Sequence, residues 1–334
     1  MKHAYPRDLI GYGQYPPHPK WPDQAKIAVQ FVLNYEEGAE NCVLHGDEQS
    51  EVFLSEIIGA QAYPDRHLSM ESMYEYGSRA GFWRLYNLFV RYNLPVTVFG
   101  VTMALQRNPE AVTAMLEANW EIASHAMRWI SFQDMPEAQE EKMINAAVQL
   151  HQAITGSKPT GWYTGRTSPN TLKLIAARDD ILYCADSYAD DLPYYDTQYA
   201  KPLLIVPYTL DTNDMRFATP QGFNSGEQFY QYLKDAFDVL YAEGATAPKM
   251  LSIGLHCRII GRPARMAALQ RFIEYVQSHE QVWCCTREQI ALHWKQNFPA
   301  PTTISTTKLQ AANSEQRSSI VDRRAVDFER RGKS

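Results

Sequence analysis

Two short apolar runs, far apart in the chain, each end on a histidine. Trp120-Glu-Ile-Ala-Ser leads to His125, and Met250-Leu-Ser-Ile-Gly-Leu leads to His256. Runs this short and this apolar are buried strands, not free-standing helices. In an α/β fold a polar residue at the C-terminal end of a strand faces the crevice where ligands bind. Two histidines so placed therefore predict one composite site. Either histidine alone reads equally well as a hydrogen-bonded core or loop residue, so the argument turns on what accompanies them.

Other apolar runs end in the same way. Residues 26–33 form the first strong strand and run into Asn34-Tyr35-Glu36-Glu37-Gly38. Side chains alternate along a strand, so Glu36 and Glu37 would point apart within one, but at a strand-to-loop bend both can approach one cavity. An exposed acidic turn is the alternative. Residues 161–165 are a short strand ending at Arg166, and residues 181–185 one ending at Asp186. Further strands are expected at 94–101, 203–208 and 282–286.

Helical spacing of apolar residues predicts helices between them, over 79–92, 136–156 and 227–242, and again from Pro263 and through Trp294. Asn108-Pro109 and Ser168-Pro169 each supply a cap and a first-turn proline. Residues 39–79 show little periodicity and read as a long functional excursion, either an interface or a loop covering a site. Strands alternating with helices are the signature of a parallel α/β fold. Gly-x-Gly-x-x-Gly is absent after the first strand, and no phosphate-binding Gly-Lys-Ser/Thr occurs, so a barrel is favoured over a dinucleotide-binding sheet.

Composition narrows the partners. The net charge of -6, with no basic block before the far C-terminus, argues against nucleic acid or an anionic membrane. No leader-like apolar stretch opens the chain, and no apolar run approaches about 20 residues. The cysteines (Cys42, Cys184, Cys257, Cys284 and Cys285) form no Cys-x-x-Cys pair. They read as buried thiols in a reducing cytosol, with a cysteine nucleophile as the alternative. The chain divides into a Pro/Tyr/His-rich extended arm (1–25), one catalytic domain (26–298) and a Ser/Thr/Arg-rich tail (299–334) expected to be flexible.

The order and wording of the strand ends resemble the polysaccharide deacetylase (NodB-like) superfamily. That family's Thr-Phe-Asp-Asp-Gly stands here as Asn34-Tyr35-Glu36-Glu37-Gly38. Its Glu-Ile-Gly-Asn-His stretch stands as Glu121-Ile-Ala-Ser-His125-Ala-Met-Arg-Trp129. Arg166-Thr-Ser-Pro169, Asp186-Ser-Tyr-Ala-Asp190 and Ile253-Gly-Leu-His256 are similar to its three later motifs. The resemblance implies a distorted (β/α) barrel of the NodB type.

Two departures matter. In the metal-dependent members an Asp and two His hold the ion, whereas here Glu37 replaces the Asp and Trp129 the second His. An indole cannot ligate a metal, and a tetrahedral zinc site wants three protein ligands plus water. No metal or other cofactor is therefore expected, the alternative being a divalent ion such as zinc on Glu37 and His125. These departures, together with Tyr-Pro-Arg-Asp-Leu-Ile-Gly-Tyr-Gly at 5–13, resemble the cofactor-independent allantoinase branch of the superfamily, the PuuE type. That implies hydrolysis of the hydantoin ring of allantoin in purine catabolism by a cytoplasmic homo-oligomer, a tetramer.

On that reading Glu36 is the general base, and His256 the general acid for the departing nitrogen. His125 orients water or stabilises the oxyanion, a role for which Arg166 is the alternative. Asp186 is the candidate for fixing Arg166 or a histidine tautomer, and Glu37 joins the substrate-binding set. Trp129 is a wall for the flat ring or, alternatively, a core filler. Two other functions stay open. One is a metal-dependent N-deacetylase; the other is a non-catalytic, ligand-binding pseudo-enzyme.

Overall fold

Strand β1 (Ile27–Tyr35) is buried at all of its positions, as a strand covered on both faces must be. It is the axis of a computed structural model that describes residues 5–301. On one side β1 pairs in parallel with β8 (Lys249–His256), from Ile27 opposite Lys249 to Asn34 opposite His256. Its other side is shared. Phe31 to Tyr35 pair with β2 (Val96–Gly100), and Ile27 to Val29 pair below it with β9 (Val282–Cys284).

Beyond β2 come β3 (Glu121–Ser124), β4 (Gly161–Trp162), β5 (Tyr183–Cys184), β7 (Leu203–Ile205) and β6 (Tyr194–Asp196). All pairs are parallel except β6 with β7. The sheet curls into a half-barrel and does not close strand against strand among the described residues. Loop segments bridge the gap. The N–H of Met250 donates to the Asp191 carbonyl (3.1 Å), and Asn213 makes a single parallel bridge to Gly254. The NodB-type fold is thus present as an open, curled version of the expected barrel.

Helices cover the outside. They are α1 (Leu68–Tyr76), α2 (Phe82–Arg91), α3 (Thr102–Arg107), α4 (Pro109–Glu117), α5 (Glu137–Thr155), α6 (Thr171–Ala176), α7 (Gly226–Glu243), α8 (Pro263–Gln277) and α9 (Arg287–Asn297). Local chemistry sets their ends. Asn108 caps α4 by accepting from Ala111 N, and Thr286 with Gln289 forms a capping box on α9. Gly156, in the left-handed region at φ 85°, stops α5.

Three elements differ from the sequence expectation. The 39–79 excursion contains α1. The helix expected over 79–92 is present and continues back into α1 through a wide helical turn over Gly77–Gly81, which sets Ser78 3.1 Å from the Tyr35 hydroxyl. Strand β6 lies inside the acidic, aromatic loop after Asp186, where cross-strand pairing with β7 overrides the loop-like composition.

The arm is tied down by an aromatic. Trp21 is buried against Trp283, His293 and Trp294, and its indole N–H donates to the Lys249 carbonyl at 3.1 Å. The tail expected over 299–334 lies, past residue 301, outside the described residues. No described helix is long and apolar enough to cross a membrane. Inside the curled sheet a fully buried arginine, Arg287, takes the place of an apolar plug. Its guanidinium donates to Gln30, to Ser252 and to the carbonyls of Val206 and Pro207.

Candidate active site

Register brings the site together. Tyr35 lies opposite Gly100, Gly100 opposite Ser124, and Asn34 opposite His256. The chain therefore leaves β1, β3 and β8 at one level, delivering Glu36, His125 and His256 to the same end of the sheet. After His125 the backbone turns sharply, with Ala126 in the left-handed region at φ 60°, a conformation that costs a non-glycine residue about 1 kcal/mol. Gly165 faces it at φ +77°. A Cβ there would lie 3.2 Å from His125 Cε1, so the close approach of this loop to the imidazole requires glycine.

The carboxylate of Glu36 is the hub. Its Oε1 lies 3.3 Å from His125 Nε2 and 3.6 Å from His256 Nε2, while its Oε2 accepts from Arg258 Nη2 at 2.6 Å. Glu36, His125, His256 and Arg258 are all buried. Burial opposes ionisation of Glu36, but Arg258 and the two histidines outweigh it and hold its carboxyl well below the usual carboxylate range. Arg258 is itself locked. Its Nε donates to the Leu54 carbonyl at 2.9 Å, and its guanidinium lies over the Tyr74 ring at 4.1 Å.

His256 has a second carboxylate behind it. Asp214 Oδ1 lies 2.6 Å from His256 Nδ1, and Asp214 Oδ2 accepts the backbone N–H groups of His256 (2.7 Å) and Ile260 (3.0 Å). This arrangement fixes the ring and leaves Nε2 facing Glu36. Neither Asp214 nor Arg258 was singled out from sequence. Arg258 left one legible signal, a lone charge in the otherwise apolar run Cys257-Arg258-Ile259-Ile260. Asp214 left none, because it lies in a turn far from any strand end.

A cavity of about 190 Å³ opens onto these groups, and Glu36, His125, Trp129, Arg166 and His256 share its lining with Tyr163, Tyr188 and Tyr208. Arg166 lies over the Trp129 ring at 3.7 Å, with Phe53 stacked on the indole and Glu51 3.6 Å from the guanidinium. Phe53 comes from the long excursion, which thus reaches over the site. Trp129 is both alternatives at once, buried among Phe53 and Tyr74 and still part of the cavity wall.

Two predicted binding residues stand elsewhere. Glu37 does not line the cavity. Its Oε2 accepts from Glu36 N (3.0 Å), its Oε1 lies 3.4 Å from Arg258, and it faces a separate cleft with Glu40 and Cys42. Burial pushes its carboxyl up, Arg258 opposes this, and the neighbouring Glu36 charge adds to it. Asp186 also lies outside the cavity lining and pairs with neither Arg166 nor a histidine. Its oxygens accept from Thr164 N and Gly165 N, bracing the loop that faces His125, whose Nδ1 has no hydrogen-bond partner.

The metal of the resemblance does not fit these residues. Of the three positions that would ligate it, Glu37 is directed to Arg258 and Trp129 offers no donor, so His125 alone remains. Among the described residues no three His, Cys, Asp or Glu side chains are grouped to hold an ion. The charge that compensates Glu36 is the guanidinium of Arg258.

A family model described as polysaccharide deacetylase matches residues 64–180. A putative polysaccharide deacetylase of Schizosaccharomyces pombe is 46% identical over 314 residues, covering 88% of this chain and 98% of that protein. Two crystal structures superpose with a TM-score of 0.88. One is of a probable polysaccharide deacetylase from Pseudomonas aeruginosa PAO1, at 63% identity; the other is of the Puue allantoinase, at 59%. Each covers 89% of this chain and 100% of its own.

Proposed function

The chain belongs to the polysaccharide deacetylase family, a family of hydrolases, and within it we propose that the protein is an allantoinase opening the hydantoin ring of allantoin to allantoate without a metal. The observation that carries this reading is the Glu36 carboxylate, set between two histidines at a small cavity, with the Arg258 guanidinium as its counter-charge. About 190 Å³ is well below the roughly 300–1,000 Å³ typical of pockets for larger ligands. It suits one small heterocycle better than a sugar chain. The similarity to the Puue allantoinase, 59% identical along the whole of that chain, supports the same choice.

In this scheme Glu36 Oε1 takes a proton from a water held in the cavity beside the Glu36–His125 pair. The hydroxide attacks the ring carbonyl carbon, giving a tetrahedral oxyanion. His256, as the imidazolium, passes its Nε2 proton to the ring nitrogen as the C–N bond breaks, and Asp214 steadies the charge behind it. The new carboxylic acid loses its proton to solvent. The proton on Glu36 returns to His256, its neighbour at 3.6 Å, and resets the pair. Arg166, seated on the Trp129 ring, holds the planar ureide by stacking and hydrogen bonding. Cytoplasmic location and a homotetramer belong to the same proposal, the exposed Leu9, Ile10 and Tyr15 of the arm being suited to contact a second copy.

The deciding experiment is allantoin hydrolysis by the purified full chain before and after exhaustive chelation, with elemental analysis of the same sample. Undiminished turnover in metal-free protein is expected. Activity that vanishes and returns with zinc or manganese would overturn the metal-free scheme. Absence of allantoin turnover, with release of acetate from an N-acetylated sugar, would move the protein to the deacetylases its other relatives are named for.

A further inference from the structure

Tyr208 follows β7 and lines the cavity with Glu36, His125 and His256, yet nothing in the scheme above uses it. It is buried, and its ring packs against Phe99 and Tyr163. Its hydroxyl has two neighbours, Asn34 Nδ2 at 3.0 Å and Asn213 Nδ2 at 3.4 Å.

The orientation of both amides is dictated by their other partners. Asn34 Nδ2 also meets the Leu255 carbonyl at 3.1 Å, and Asn213 Nδ2 meets the Thr209 carbonyl at 3.2 Å. A carbonyl only accepts, so each amide must present its NH₂ there, and each sends its second N–H to Tyr208. Asn213 is fixed a second time, because its Oδ1 accepts from Met215 N at 2.9 Å. The phenolic oxygen therefore accepts twice, and its own proton has no acceptor among the described residues.

The cluster is also built for closeness. A Cβ at Gly254, on β8, would lie 2.6 Å from the Tyr208 hydroxyl and 2.1 Å from Asn213 Nδ2, so this strand position must be glycine for the three groups to meet. Burial pushes the phenol above its ordinary range, so it stays protonated at working pH.

We propose that Tyr208 is a catalytic residue that donates its free O–H to the carbonyl oxygen of the bound substrate and to the oxyanion that forms from it, with Asn34 and Asn213 as positioning residues that aim the proton into the cavity. The proposal rests on the hydrolytic reading of this site, because its job is to meet a developing oxyanion. Donation from a group already accepting two hydrogen bonds is strengthened by them.

The test compares wild type and Tyr208→Phe on allantoin and on an N-acetylated chito-oligosaccharide, with melting curves of both proteins. On whichever substrate the wild type turns over, kcat is expected to fall about 10²–10³-fold with KM changed only a few-fold. A folded variant with kcat within about threefold of wild type overturns the Tyr208 assignment and leaves the proposed function standing.

Should Tyr208→Phe fail to fold, 3-fluorotyrosine at position 208 keeps the ring and acidifies the proton. The stronger donor should then change kcat and leave KM nearly unchanged, and a kcat equal to that of wild type overturns the assignment. Should the wild type turn over neither substrate, the proposed function fails, and binding of methylphosphonate, a tetrahedral anion, reads the donor directly. At least about tenfold weaker binding by Tyr208→Phe is expected, and equal affinity, or no binding to either protein, overturns the assignment.

Discussion

Arg258 reaches Glu36 from the opposite side to the histidines, donating to Oε2 at 2.6 Å while Oε1 faces His125 and His256. One oxygen of the carboxylate is thus neutralised, and the other is left to act. Replacing Arg258 by Met leaves two buried carboxylates, Glu36 and Glu37, without their cation. The expected cost is about 3–5 kcal/mol at neutral pH. The loss should shrink at pH 5, because protonating one of the two carboxyls relieves it. Denaturant unfolding at both pH values checks this, and an equal loss at the two would mean that Arg258 does not set the charge of the pair.

Glu36→Gln keeps the shape of the hub and removes the base. A fall in kcat of about 10²–10⁴-fold is expected in the folded variant, together with a lower melting temperature, because Arg258 is left with Glu37 as its carboxylate partner. Near-normal turnover would remove Glu36 from the chemistry.

Asp214→Asn tests the support behind His256. The amide can keep one backbone contact but cannot stabilise an imidazolium as a carboxylate does. We expect kcat to fall by about 10²-fold or more, and the pH–rate profile to change shape. A purely structural Asp214 would lower stability and leave the profile of the surviving enzyme unchanged.

Trp129→Phe should loosen the platform under Arg166, whose guanidinium lies 3.7 Å above the indole. A cation–π contact of about 0.5–2 kcal/mol predicts a rise in KM of about 2- to 30-fold with little change in kcat. Steady-state kinetics separate the two parameters, and a drop confined to kcat would contradict a binding role.

His151, buried on α5 with its Nδ1 unpartnered, is pushed down by burial to about 4. Its folded value lies below its unfolded value of about 6.5. The unfolded chain therefore binds the extra proton first, and stability is lost as pH falls from 6.5 toward 4. Between pH 7 and pH 5 this one group should cost about 2 kcal/mol. Urea unfolding of wild type and His151→Leu at the two pH values measures it, and parallel losses in both proteins would exclude His151.

The sequence by itself determined the strands and what stands at their ends. Apolar runs of four to nine residues have one stable use in a chain of this composition, so Glu36, His125, Arg166 and His256 were legible beside a shared crevice. Side-chain direction beyond the strand was not legible. Glu37 and Glu36 are neighbours in the chain, yet only Glu36 faces the cavity. Asp186 stands at a strand end as expected, but its carboxylate is taken up by two backbone N–H groups.

Only the tertiary structure could decide the partners. The pairs Arg258–Glu36, Asp214–His256 and Asn34–Tyr208 join residues 222, 42 and 174 positions apart. Periodicity and capping act over a few residues, whereas a buried polar group takes whichever partner the packed fold brings within hydrogen-bond reach. For Glu36 the fold brings the guanidinium of Arg258.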